Sequence, residues 1–326
     1  MKTRYLIQPA VCEWHGSTGL HVAERLRQLC ESAFGEWLPL WPCLLTETTT
    51  VEPYGLPSPW RFEALGFSLD KLYPERHRLG LPAELCDLPQ ELWQDTALGA
   101  AKSPATAALA FALRRAELEA WRRSAWREIH QESAVVSLLR RLERRKIVAD
   151  KSRERPFVIL TGSAGGSTGP AGMLQALDFY LGSPERPLVL LFLLGPHCGA
   201  SHDDYRTERA NALQLFLSLQ RRANEGGGFF AFWLDGTIGT RATLLDETAK
   251  LVHTLIASPD GETVRRLLRD GFGPTRRRVG PGEPVRFLCR LDAHRLRVPA
   301  AALREHLAVR ALTTALSGGP EDECIR

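Results

Sequence analysis

The sequence predicts an α/β fold in which a parallel sheet is flanked by helices. Three observations carry that expectation. The apolar runs Phe157–Leu160, Pro187–Leu194 and Phe229–Leu234 have the continuous hydrophobicity of strands covered on both faces. Each is followed by a polar turn and then by apolar residues at helical spacing, the alternation of strand and helix that builds parallel sheets. The turn after the first run, Thr161-Gly162-Ser163-Ala164-Gly165-Gly166-Ser167-Thr168-Gly169-Pro170-Ala171-Gly172, hands a strand directly to a helix N-terminus. Backbone N–H groups there can close on an anion, the helix end adds partial positive charge, and Ser167 and Thr168 can donate hydroxyl hydrogen bonds.

Along the chain, Tyr5-Leu6-Ile7 reads as the first strand. Trp14-His15-Gly16-Ser17-Thr18-Gly19 reads as a loop into an amphipathic helix carrying Val22, Leu26 and Leu29. Trp41–Thr48 reads as a second strand, with Glu47 the carboxylate at its polar end. Prolines crowd the stretch between Leu38 and Pro104, which is expected to be a long irregular excursion, and Leu98–Thr106 precedes a long helix. Met173, Leu174, Leu177, Phe179, Tyr180 and Leu181 mark the helix after the glycine-rich turn, and another helix opens at Arg206–Leu215. Leu244, Leu245, Ala249, Val252, Leu255 and Ile256 mark a long core helix from Thr240 to Ile256. The chain is thus expected to divide into residues 1–239, a large α/β unit, and 240–326, the core helix with a reduced C-terminal domain.

At 326 residues and 44% hydrophobic content, the chain can bury one large core and a small appendage. A net charge of +4 is modest, and the basic runs Arg140–Lys146 and Pro274–Arg278 read as solvated faces. Contact with an acidic partner, nucleic acid or anionic lipid is the minority reading. No aromatic residues interleave with these arginines as base-stacking would require, so nucleic acid is not an expected partner. Seven cysteines without a Cys-x-x-Cys pair give no disulfide framework and suit a reducing cytoplasm. The longest apolar run, Leu188 to Leu194, is far short of a membrane span, and no signal-peptide stretch opens the chain. A cytoplasmic protein is expected.

The glycine-rich turn lacks the Gly-Lys-Ser/Thr of a Walker A loop and the Gly-x-Gly-x-x-Gly spacing of a dinucleotide fold. It resembles instead the glycine signature of the tubulin/FtsZ superfamily, close to the bacterial tubulin-like branch. Gly165, Gly166, Thr168 and Gly169 match the core of that signature. Gly16, Thr18 and Gly19 fit the family's first nucleotide loop, Gly99-Ala100-Ala101-Lys102 its loop over the terminal phosphate, and Glu208 and Asn211 keep the spacing of a ribose and a base contact. The resemblance implies a tubulin/FtsZ-like, Rossmann-like sheet that binds GTP or GDP, with Mg2+, and self-associates into filaments. Phosphates would meet Ala164, Gly165, Gly166, Ser167, Thr168 and Gly169, assisted by Gly16, Ser17, Thr18, Gly99 and Ala100. Glu208, Asn211 and Asp235 would address ribose and base, the asparagine amide offering both a donor and an acceptor to a guanine edge.

Several positions depart from that pattern. Trp14 and His15 stand where small residues are common, Ala100 and Ala101 where glycines are, and Gly236 lacks a base-contacting side chain. No Asn-x-Asp-x-x-Asp loop follows the core helix; Asp260 and Glu262 are the nearest acids, so no catalytic residue is assigned. These departures favour a second reading, a tubulin-like scaffold or adaptor that no longer binds or hydrolyses nucleotide and acts through another protein partner. Two other chemistries are weighed. His197, Cys198, His202, Asp203 and Asp204 are metal-binding types at spacings unlike zinc motifs. Ser163 lies near a nucleophile elbow that would need His197, His202 or His253 and Asp235. Trp121 and Trp126, on an arginine-rich helix, read as packing or as a partner surface.

Overall fold

The structure, a computed structural model, describes residues 4–49, 60–97, 99–195, 202–226, 228–234, 240–271 and 287–291. In chain order its elements are β1 (Arg4–Ile7), β2 (Ala10–His15), α1 (Gly16–Phe34), β3 (Cys43–Glu47), β4 (Trp60–Ala64), and the short helices α2 (Leu69–Leu72) and α3 (Ala83–Cys86). Next come α4 (Pro104–Leu113), α5 (Arg115–Glu128), α6 (Glu132–Arg144), β5 (Val148–Lys151), β6 (Phe157–Ser163), α7 (Thr168–Gly182) and β7 (Leu188–Leu194). The rest are α8 (His202–Asn224), β8 (Phe229–Leu234), α9 (Arg241–Ala257), α10 (Pro259–Arg266) and β9 (Leu288–Leu291).

Seven of the described strands form one parallel sheet in the order β4-β3-β2-β6-β7-β8-β9. The register explains the continuous apolar runs. One row across the sheet, Cys12, Ile159, Leu190 and Phe230, packs with Val22 and Leu26 of α1 and Leu244 and Val252 of α9. The next positions along the strands, Leu160, Leu191 and Ala231, face the other way and pack with Met173 and Leu177 of α7 and Leu215 and Leu219 of α8. Successive side chains point to opposite faces, so a strand covered on both sides must be apolar at every position.

The elements differ from expectation in four places. Tyr5–Ile7, expected as the first strand of the sheet, pairs among the described residues with β5 alone, in a separate two-stranded sheet. The central strand is Ala10–His15, so Trp14 and His15 end a strand and do not form a loop. Glu13 and His15, both fully buried, disguised that strand by breaking its hydrophobic pattern. The excursion between Leu38 and Pro104 is more regular than its prolines suggest, since β4 pairs in parallel with β3 within it. The helix after Pro104 breaks at Arg114, whose φ of −101° and ψ of 12° leave the helical region, to give α4 and α5. The core helix is found at Arg241–Ala257, begun by Thr240, whose hydroxyl accepts from the Thr243 N–H. It packs on α1, and β9 joins the main sheet beside β8. Among the described residues no helix is long and apolar enough to cross a membrane.

Candidate functional site

β2 and β6 end side by side, with His15 opposite Gly162, and each hands its chain to a helix at the same pole of the sheet. α1 begins at Gly16, whose φ of 78° places it in the left-handed region that favours glycine. α7 begins at Thr168, after the Ala164–Ser167 turn. Neither helix has a side-chain N-cap bond or an acidic residue in its first turn. Their unsatisfied N–H groups and the positive ends of their dipoles therefore open onto one cleft of about 280 Å³. Lys102 and Arg241 add cationic side chains to its wall, and Glu47 and Glu208 add carboxylates.

The glycines of the turn divide into two kinds. A Cβ at Gly169 would stand 2.2 Å from the Ser163 carbonyl oxygen, one at Gly162 2.9 Å from the His15 carbonyl oxygen, and one at Gly172 2.5 Å from His15 Nδ1. These three let α7 lie directly on β2 and β6. Gly165 serves α8, since a Cβ there would meet the Glu208 carbonyl oxygen at 2.9 Å. Gly166 meets nothing nearer than Ser163 at 3.7 Å and lines the cleft.

Hydrogen bonds organise the floor. Glu47 Oε1 accepts from the Thr168 hydroxyl at 2.9 Å and from the Thr48 N–H at 2.9 Å, and the Thr48 and Thr168 hydroxyls are 2.8 Å apart. A carboxylate thus holds the hydroxyl that the sequence offers to a phosphate. Asn211 Nδ2 donates to the carbonyl oxygens of Gly165 and Lys102, both at 3.0 Å, tying the glycine turn to the loop before α4. In that loop Ala101 (φ 44°) and Lys102 (φ 59°) are left-handed without being glycine, a strained backbone of the kind that clusters at ligand sites. Lys102 Nζ lies 3.9 Å from Glu208 Oε1, while Glu208 Oε2 is buried without a hydrogen-bond partner.

Beneath the cleft lies a buried polar network that the sequence reading missed. Arg122 of α5, fully buried, donates Nε to Glu13 Oε1 at 2.9 Å and Nη2 to Glu13 Oε2 at 2.8 Å, and its Nη1 reaches Gln175 Oε1 at 3.2 Å. The Tyr180 hydroxyl donates to Glu13 Oε1 at 2.8 Å. Burial alone would raise the Glu13 pKa, but the Arg122 guanidinium outweighs it and, with His15 and the Tyr180 hydroxyl, holds the carboxyl below its usual range. His15, with Nδ1 2.8 Å from the Thr46 hydroxyl, is pushed down to about 4, chiefly by burial, with Glu13 opposing and Arg122 reinforcing the shift. It is therefore neutral at pH 7. The available signal was a lone acid inside an apolar strand, Glu13, which demands a buried cation elsewhere in the chain.

Gly16, Ser17, Thr18, Gly99, Ala100, Gly166, Ser167, Thr168, Gly169 and Glu208 line the cleft together. Ala164 is buried in the core beside it. Asp235 and Gly236 lie outside the described residues, as do His197, Cys198 and the basic run 274–278. His202, Asp203 and Asp204 open α8, and their side chains are likewise outside the description. Among the described residues no group of three or more His, Cys, Asp or Glu could hold a metal ion, and Ser163 has no histidine partner. Asp260 and Glu262 sit in the first turn of α10, past the end of α9 remote from the cleft. Trp121 and Trp126 pack half-buried against the core, and Arg141 and Arg145 of the other basic run pair with Glu36.

No protein-family model and no curated protein matches the chain. Among solved structures it is similar to TubZ of Clostridium botulinum phage c-st with its C-terminal tail truncated, at 13% identity over 79% of this chain and 65% of that one, with a TM-score of 0.45. It is similar to CetZ from Methanosaeta thermophila strain DSM 6194, at 8% identity over 77% and 54%, with a TM-score of 0.44. CetZ2 from Haloferax volcanii, solved as a GTPγS-bound protofilament, matches at 15% identity over 78% and 58%, with a TM-score of 0.44. The chain spans less than two thirds of the length of each of these structures. The described residues form a parallel sheet flanked by helices on both faces, an α/β fold.

Proposed function

We propose that this chain binds a guanine nucleotide in the cleft at the carboxyl ends of β2, β3 and β6, and that nucleotide promotes its self-association into filaments. One observation carries the reading: two helix N-termini, uncapped by side chains and without an acid in their first turns, open onto one cleft beside Lys102 and Arg241. Such a concentration of unsatisfied N–H groups and positive charge suits phosphate oxygens. The resemblance of Gly165, Gly166, Thr168 and Gly169 to the tubulin/FtsZ signature narrows the ligand to guanine nucleotide. On this reading the Thr168 hydroxyl exchanges Glu47 for a phosphate oxygen, and Glu47, freed, faces the bound anion and a Mg2+ ion that accompanies it. Glu208 serves the ribose.

A second reading has its own support. Both amide hydrogens of Asn211 are committed to Gly165 and Lys102, and Thr168 is already satisfied by Glu47. A scaffold that has kept the fold and closed the site upon itself would look the same, and would act through a protein partner. Titration with a fluorescent guanine nucleotide, competed by GTP, GDP and ATP, separates the two. Saturable binding that GTP displaces better than ATP, and that Gly166→Trp abolishes, supports the nucleotide reading. No binding by the folded wild type overturns it in favour of the scaffold. Sedimentation with and without GTP then tests assembly.

A further inference from the structure

At the pole opposite the cleft, the amino ends of β6, β7 and β8 surround a second pocket of about 780 Å³. Two Arg-Pro pairs stand at its mouth. Phe157 pairs with Leu188, and two residues before each strand begins are Arg155, before Pro156, and Arg186, before Pro187. The loops that enter these two neighbouring strands thus bring both arginines to the wall of the same pocket. Arg153 and Arg269 complete a set of four guanidinium groups on the wall. None of the four has a carboxylate or other side-chain partner among the described residues.

The pocket's own acids do not neutralise them. Glu154 accepts from Arg265 Nε at 3.0 Å, and Glu185 accepts from the Ser183 hydroxyl. Arg265 in turn bonds the Leu255 carbonyl and Gln8, so Glu154 is held in a buried cluster. Arg186 also has a φ of 41°, in the left-handed region where a residue with a side chain is strained. Like charges gathered without a counter-charge among the described residues, one of them on a strained backbone, leave an energetic gap that an anion would fill. Trp126, its ring 4.9 Å from His130, adds a planar wall.

We propose that this pocket binds a multivalent phosphate anion, free or carried on a nucleoside. Guanidinium groups bind phosphate oxygens in pairs, and the pocket has the volume of a small-molecule site. It is separate from the cleft and shares no residue with it. The side chains of Arg153, Arg155 and Arg186 are exposed, so replacing them leaves the core untouched.

Calorimetric titration with inorganic tripolyphosphate tests the site in a Gly166→Trp background, which fills the cleft. One saturable site per chain is expected, with affinity falling at least tenfold when Arg155→Gln and Arg186→Gln are added. The same anion should raise the melting temperature of the parent and not of the arginine variant, whose own melting temperature without anion should be equal or higher. Parallel titrations with GTP and ATP tell whether a nucleoside adds affinity to the bare polyphosphate. Absence of saturable binding in the Gly166→Trp background, or affinity unchanged by the arginine substitutions, overturns the proposal. Neither result touches the nucleotide reading, which rests on wild-type binding at the other pole.

Discussion

Replacing Arg122 with methionine should be among the most damaging single changes in the described core. Arg122 and Glu13 are both fully buried, and the guanidinium holds both carboxylate oxygens. Without it, Glu13 keeps only the Tyr180 hydroxyl and a histidine that is neutral at pH 7. An uncompensated buried charge of this kind costs about 3–5 kcal/mol, which for a chain of this size lowers Tm by on the order of 10 °C. The loss should depend on pH in a fixed direction. In the wild type the depressed Glu13 pKa contributes stability that is present above the unfolded carboxylate pKa and lost as pH falls through the folded value. In the variant, burial raises the pKa, so stability falls as pH rises from the unfolded pKa through the folded one. The difference between the two proteins therefore widens from acid to neutral pH. The double variant Glu13→Gln/Arg122→Met should recover much of the loss, because no charge is then stranded. Urea denaturation of the wild type, Glu13→Gln, Arg122→Met and the double variant at pH 4.5 and pH 7 measures this cycle. A loss below about 1 kcal/mol at pH 7, or one that does not change with pH, would refute the reasoning.

Other changes have equally definite outcomes. Gly172→Ala places a methyl group 2.5 Å from His15 Nδ1 and 2.6 Å from Phe111 Cζ, and should cost about 1–3 kcal/mol in chemical denaturation. Gly166→Ala, with 3.7 Å to its nearest neighbour, should stay within about 0.5 kcal/mol of the parent. Thr168→Val removes the hydroxyl bound to Glu47 and Thr48 and should cost about 1 kcal/mol. On the nucleotide reading it also weakens GTP binding, and an unchanged affinity would remove Thr168 from the phosphate site. For His15, the folded pKa of about 4 lies below the ordinary 6.5, so the unfolded chain takes up its proton first as pH falls. That contribution, roughly 3 kcal/mol, is present above pH 6.5 and lost between 6.5 and 4. His15→Gln should lessen the acid-side slope of stability against pH by up to one proton, and an identical slope would contradict the burial argument.

Hydrophobic patterning by itself determined the strands at Phe157, Leu188 and Phe229, because a strand covered on both faces must be apolar at every position. It also located the core helix, expected from Thr240 to Ile256 and found at Arg241–Ala257, and the glycine-rich handover to α7, whose chemistry is local to a few consecutive residues. It could not find β2, because Glu13 and His15 look like surface residues until Arg122, more than a hundred positions away, is folded against them. Tertiary structure alone decided which glycines serve what. Gly162, Gly169 and Gly172 answer to His15 and Ser163, and Gly165 to Glu208, whereas Gly166 is left to the cleft. The meeting of Arg155 and Arg186 on one pocket wall belongs to the same class. Each Arg-Pro lies in its own stretch of chain, and only the neighbouring of β6 and β7 in the sheet brings both arginines to one pocket. Local periodicity is written in neighbouring residues, but charge compensation and steric fit are relations between distant ones, and the fold alone chooses the pairs.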